Sequence, residues 1–144
     1  MSTMEAENKE LAQKYAEEVV TEGHLDIIDE IIADEHVQHT SAVSETLHGP
    51  EEVKENVSML REAFPDTECV VQDLIADGDM VVRRDRATCT HEGEFMGIEP
   101  TGKEIEIQGV HIHRIEDGQI AETWSQSDMM GAMAQLGAIE PPGE

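Results

Sequence analysis

The hydrophobic period of this chain changes once, at Phe64-Pro65. Before that point apolar residues recur at helical spacing; after it they alternate. Helices first and strands afterwards predict an α+β domain, with three N-terminal helices packed on one face of a strongly curved antiparallel sheet. Residues 4–21 place Leu11, Ala12, Tyr15, Ala16, Val19 and Val20 on one helical stripe, and Gly23 sits where a C-terminal cap belongs. "LDIIDEIIAD" reads as a second, shorter helix with Leu25, Ile28, Ile31 and Ile32 on one side, whereas "HVQHTSAVSETLH" reads as an irregular polar loop. "GPEEVKENVSMLREAFPD" is the third helix: Pro50 suits its first turn, Glu51 and Glu52 its positive end, and Pro65 stops it.

The strand half divides into two hairpins. "TECVVQDLIA" and "MVVRRDRATCTH" flank Asp77-Gly78, and "KEIEIQGVHIHRI" and "QIAETWSQSD" flank Asp117-Gly118. "EGEFMGIEPTG" joins the hairpins, and the tail "MMGAMAQLGAIEPPGE" is read as a short helical turn with a frayed end. No repeat or second domain is visible, so one domain is expected over 1–144, its core at about 10–137.

Charge narrows the function. Asp and Glu number 33 against nine Lys and Arg, a formal charge of -24. A field of that sign repels phosphate backbones, which argues against nucleic acid. The acids are dispersed through foldable segments, the surface expected of a halophilic-type protein from a high-salt cytosol. Neither a membrane span nor a signal peptide is apparent, so a cytoplasmic location is expected. Cys69 and Cys89 both fall in strands, as inert buried thiols rather than a disulfide or zinc framework.

Chemistry concentrates in "HIHRIEDGQIAETW", residues 111–124. His111 and His113 share a face of their strand and would reach one cation together, with Glu116 as a third ligand and His36 and His39 as a further pair. Against this, Glu116 adjoins a turn, where it splays into solvent. The other reading is the wall of an organic cavity. Alternation puts Ile120, Glu122, Trp124 and Gln126 on one face of the last strand. Ile105, Ile107, His111 and His113 share a face of the strand before, unless a bulge at Gly109 shifts the register. A carboxylate and an imidazole turned into an apolar chamber acquire shifted pKa values suited to proton transfer; the plainer alternative is an exposed Glu122 and a hydrogen-bonded core His111.

Several stretches together resemble the SnoaL-like polyketide cyclases, or ester cyclases, of the nuclear transport factor 2-like superfamily. They are "GHLDIIDEIIADEHVQH", "HGPEEVKE", "REAFPDTECVVQDLIADGDMVVRR", "THEGEFMGIEPTGKEIEIQGVHIHRIEDGQIAETW" and "DMMGAMAQLG". The resemblance implies a cone-shaped α+β barrel, a homodimer joined through the sheet, and a small-molecule substrate. It implies cofactor-free acid/base chemistry: ring closure of a polyketide ester by intramolecular aldol condensation, with no metal. Carried over by position, it makes Glu122 and His111 the acid/base candidates. His39, Arg84, His91, His113, Trp124 and Ser125 become candidate substrate contacts. Many relatives carry an acid directly after the tryptophan, where this chain has Ser125, and an aromatic where Asp85 and His113 stand. Two other functions fit the same cone: a non-catalytic small-molecule binder, and an epoxide hydrolase using residues from the run Arg83, Arg84, Asp85 and Arg86.

Overall fold

The computed structural model describes residues 3–40 and 46–139. Helix α1 (Met4–Lys14) starts at Thr3, whose hydroxyl accepts the Ala6 N–H at 3.0 Å. It runs into a π-helical segment, Tyr15–Thr21. The wider winding suits its far end, where Arg61 donates to the carbonyls of Val20 and Thr21 at 2.8 and 3.0 Å. It also lets Tyr15 and Val20, five residues apart, reach the same internal space.

Helix α2 is short (Asp26–Ile31), and the chain then enters strand β1 (Ile32–Thr40) and strand β2 (Thr46–His48). Most of the "loop" expected at "HVQHTSAVSETLH" is therefore sheet, and 41–45 lie outside the described residues. The expectation failed because β1 turns polar side chains inward: His36 and Gln38 are buried. Helix α3 (Gly49–Ala63) follows, then β3 (Glu68–Asp77), β4 (Met80–Thr90), β5 (Glu104–Glu116), β6 (Gln119–Ser127) and helix α4 (Met129–Leu136).

The sheet order is β2-β1-β6-β5-β4-β3. It is mixed rather than wholly antiparallel, since β1 pairs in parallel with β6. The first hairpin turns at Gly78-Asp79, one residue beyond the expected place, because Asp77 still pairs with Met80. The second turns at Asp117-Gly118 with positive φ at both (52° and 76°), the backbone that a two-residue hairpin of primed type requires.

Two corrections decide what faces inward. Register is unbroken past Gly109, which pairs with Asp85, so no bulge lies there. The irregularity is in β6: Ile115 pairs with Ile120, but Arg114 pairs with Glu122, leaving Ala121 as the extra residue. One residue of slip reverses every later side chain. Ile120, Thr123 and Ser125 are buried, and Glu122 and Trp124 take the opposite face.

Apolar burial forms two clusters. One joins Ala12, Val19, Ile28, Ile31, Val53, Val81 and Ile120; the other joins Ala63, Phe64, Cys89, Phe95, Ile105 and Leu136. Each draws helix onto sheet, and residues of both line the space between them. Among the described residues no helix is long and apolar enough to cross a membrane.

Candidate active site

A cavity of about 420 Å³ lies between the two clusters. That size admits a small organic molecule. Its polar wall comes from four neighbouring strands. Strand β4 turns Arg83 and Asp85 inward, β5 turns His111 and His113, β6 turns Thr123 and Ser125, and β1 turns Gln38. Tyr15, Val57, Phe64, Phe95 and Ile107 supply apolar wall.

The polar groups form one hydrogen-bonded belt. Arg83, 2% exposed, donates through Nε to Asp85 Oδ2 at 2.8 Å and through Nη1 to His113 Nε2 at 3.3 Å. Guanidinium has donors only, so His113 Nε2 accepts and its proton sits on Nδ1. That Nδ1–H donates to Thr123 Oγ1 at 2.9 Å, leaving the Thr123 hydroxyl to donate to His36 Nε2 at 3.0 Å. His36 then carries its proton on Nδ1, which has no partner among the described residues.

On the other side of Asp85 stands His111. Its Nε2 lies 3.4 Å from Asp85 Oδ2, and its Nδ1 lies 2.8 Å from Ser125 Oγ. Burial pushes the Asp85 carboxyl up, but the hydrogen bond with His111 and the Arg83 charge outweigh it and hold the pKa down at about 2. A carboxylate can only accept, so the His111 proton faces it on Nε2, and Nδ1 accepts from the Ser125 hydroxyl. Burial and the Arg83 charge lower the His111 pKa below the usual 6.5 against the opposing pull of Asp85. The pair is thus carboxylate and neutral imidazole near pH 7. The close approach needs Gly109: a Cβ there would lie 3.0 Å from His111 Nε2 and 3.3 Å from Asp85 Oδ1.

Other candidates fall elsewhere. Glu122 is on the opposite face, its carboxylate 2.8 Å from His39 Nε2 and 3.5 Å from Arg114 Nε. The His39 hydrogen bond lowers its pKa, the reverse of the upward shift expected of an enclosed acid. His39 stacks on Trp124 with ring centroids 5.6 Å apart, so these three form an outer cluster rather than a cavity wall. Arg84 also points outward and pairs with Asp73 and Gln72. His91 is fully buried but does not line the cavity; its Nδ1 accepts the Thr101 N–H at 3.2 Å, clasping the β4–β5 connection. Of the eight, His111, His113 and Ser125 reach the cavity.

Arg83 and Asp85, from the run of the epoxide-hydrolase reading, join them there, as do Gln38 and Thr123, which no motif marked. For Arg83 and Asp85 the signal is alternation along "VVRRDRATC": Val81, Arg83, Asp85, Ala87 and Cys89 share a face that also holds small apolar residues. A metal between His111 and His113 does not suit this arrangement, because all four ring nitrogens already have partners. Among the described residues no three His, Cys, Asp or Glu side chains are grouped to hold an ion. Arg83 meets a single carboxylate, so the Asp-Arg-Asp set of the epoxide-hydrolase reading is not assembled around it among the described residues.

Comparison with known proteins bears on the family and the fold. The family model for SnoaL-like polyketide cyclase matches residues 10–136. Aklanonic acid methyl ester cyclase AcmA of Streptomyces galilaeus is 27% identical over 128 residues, covering 88% of this chain and 89% of that protein. Among solved structures, a SnoaL-like polyketide cyclase from Jannaschia sp. CCS1 superposes with a TM-score of 0.87 at 26% identity, over 96% of this chain and 97% of that one. IdmH of Streptomyces antibioticus, described as a polyketide cyclase, gives 0.80 at 31% identity, over 90% and 98%. With its family match running through the helices, the sheet and α4, this chain belongs to the SnoaL-like polyketide cyclases.

Proposed function

We propose that this chain is an ester cyclase that closes a ring in a small polyketide-like ester by acid/base chemistry of its own side chains. The observation that carries the reading is His111: a neutral imidazole at the cavity wall, between a carboxylate and a hydroxyl. A base poised below neutrality removes a proton from an acidic carbon and returns it to the developing alkoxide. The apolar walls fold the chain so that its two reacting carbons meet, which supplies much of the acceleration. Ser125 is proposed as the substrate-facing hydroxyl, with Gln38 offering a carboxamide to a carbonyl and His113 lining the cavity as the imidazole that braces Arg83. Glu122, His39, Trp124, Arg84 and His91 are assigned structural or surface roles.

The test uses aklanonic acid methyl ester, the substrate named for the relative AcmA. Ring closure by the wild type and its loss in His111→Gln support the reading; binding without turnover contradicts it.

The outer sheet face, with Trp124 and the 40%-exposed Val110, supports a homodimer joined there. Sedimentation as a dimer that Trp124→Glu dissociates is the expected result, and a wild-type monomer contradicts it. The dispersed acids favour a high-salt cytosol as the working medium.

A further inference from the structure

Among the described residues two carboxylates line the cavity, and they differ in kind: Glu94 is exposed, whereas Asp85 is 5% exposed and sits deep in the belt. Asp85 is ion-paired to Arg83 and abuts His111, so it is a poor proton carrier itself. The group His111 Nδ1 presents to the cavity is the Ser125 hydroxyl at 2.8 Å. We propose that substrate protons enter and leave through Ser125, that His111 stores them, and that Asp85 is the positioning residue that holds His111 in the tautomer the transfer requires. The proposal rests on the acid/base reading above and names the path of the proton within it.

The step balances without any co-reactant. The substrate C–H bond breaks and its electron pair becomes the enolate. Its proton forms a new O–H bond at Ser125 as the original Ser125 proton passes to His111 Nδ1, giving imidazolium with Nε2–H on Asp85. After the carbon–carbon bond forms, the same shifts run backwards and protonate the alkoxide. Asp85 is already ionised, and its charge stabilises the imidazolium at the moment it forms. The 3.4 Å separation is long for a hydrogen bond, and such contacts commonly tighten when the site is filled. Gly109 belongs to the device because it leaves room for the pair; its pairing partner across the sheet is Asp85 itself.

The arrangement has a consequence that needs no substrate to observe. In nitrogen-15 NMR of the free wild type at pH 7, His111 should be neutral with its proton on Nε2 and Nδ1 bare. Moving the carboxylate to the other side of the ring, in the double variant Asp85→Asn/Ser125→Asp, should move the proton to Nδ1. Gly109→Ala keeps every charge and should weaken the Nε2–H contact while the protein stays folded. A wild-type proton on Nδ1, or a tautomer indifferent to the exchange, overturns the proposal.

Kinetics on aklanonic acid methyl ester supply the second reading. Ser125→Ala should lower kcat by about 10²-fold with KM little changed, the scale of a lost proton-transfer group. Gly109→Ala should lower it roughly 10- to 100-fold through misplacement alone. The double exchange should stay at least as impaired as Asp85→Asn, because it sets the ring in the opposite tautomer and removes the Ser125 hydroxyl; recovery of activity in it would overturn the relay. If His111→Gln abolishes turnover while Ser125→Ala and Gly109→Ala do not, the relay fails and the acid/base reading stands. If the wild type turns nothing over, that reading fails and the relay falls with it, while the spectra still decide which nitrogen of His111 carries the proton.

Discussion

Glu122 and Ser125 sit three residues apart on β6 and face opposite sides of the sheet. The carboxylate meets His39 outside, and the hydroxyl meets His111 inside. Three positions apart on a strand means opposite faces, so one of the two residues is excluded from the chemistry by geometry. Glu122→Gln should leave kcat/KM for the methyl ester unchanged and weaken the outer His39 contact. A large fall in kcat with unchanged folding would return Glu122 to the mechanism.

Arg83 is the cation that makes a buried Asp85 tolerable. Removing one partner of a buried pair strands the other, at a typical cost of about 3–5 kcal/mol. Arg83→Met should therefore destabilise the fold by that order in urea denaturation. The double variant Arg83→Met/Asp85→Leu should recover part of the loss, because no uncompensated charge remains. Equal stability of Arg83→Met and wild type would show that the pair is not held as described.

Protonation of His36 should oppose folding. Burial lowers its pKa to about 4 from the usual 6.5. Between those values the unfolded chain binds more protons than the folded one, so the contribution is complete above pH 6.5. It is lost as pH falls towards 4 and is flat below, by roughly 3 kcal/mol at most. Burial, with the Arg83 charge next, lowers His113 as well and acts in the same direction. Acid also relieves repulsion among the carboxylates, so the comparison is with His36→Gln. Wild type should lose urea stability relative to the variant as pH falls through this window. A constant difference would contradict a buried neutral His36.

The formal charge of -24 sets the salt response. Raising KCl from 0.1 to 1 M shortens the screening length from about 10 to about 3 Å and weakens repulsion between dispersed acids. Tm at pH 7.5 should rise over that range. A flat or falling Tm would show that the surface acids are not in net repulsion.

Much of the fold was legible because apolar period follows element type: α1, α3 and the strands β3, β4, β5 and β6 lie where helical or alternating patterns stand. Strand β1 was hidden because the cavity inverts the usual rule there, with His36 and Gln38 inside. The site was half legible for a related reason. Alternation placed Ile105, Ile107, His111 and His113 on one face of β5, as found. On β6 it placed Ile120 with Glu122 and Trp124, and the extra Ala121 undid that placement, leaving Thr123 and Ser125 inside. A bulge has no reliable local signature when the residue concerned is an ordinary alanine. Glycine drew attention instead to position 109, where its purpose is space for two side chains and not a register shift.

The sharpest test of His111 as the base is the pH dependence of kcat/KM for aklanonic acid methyl ester in wild type and His111→Gln. The wild type should show an acid limb with an apparent pKa below 6.5, where His111 protonates. The variant should fall by about 10²- to 10⁴-fold and lose that limb. A variant that keeps both the rate and the limb would contradict His111 as the base of this cavity.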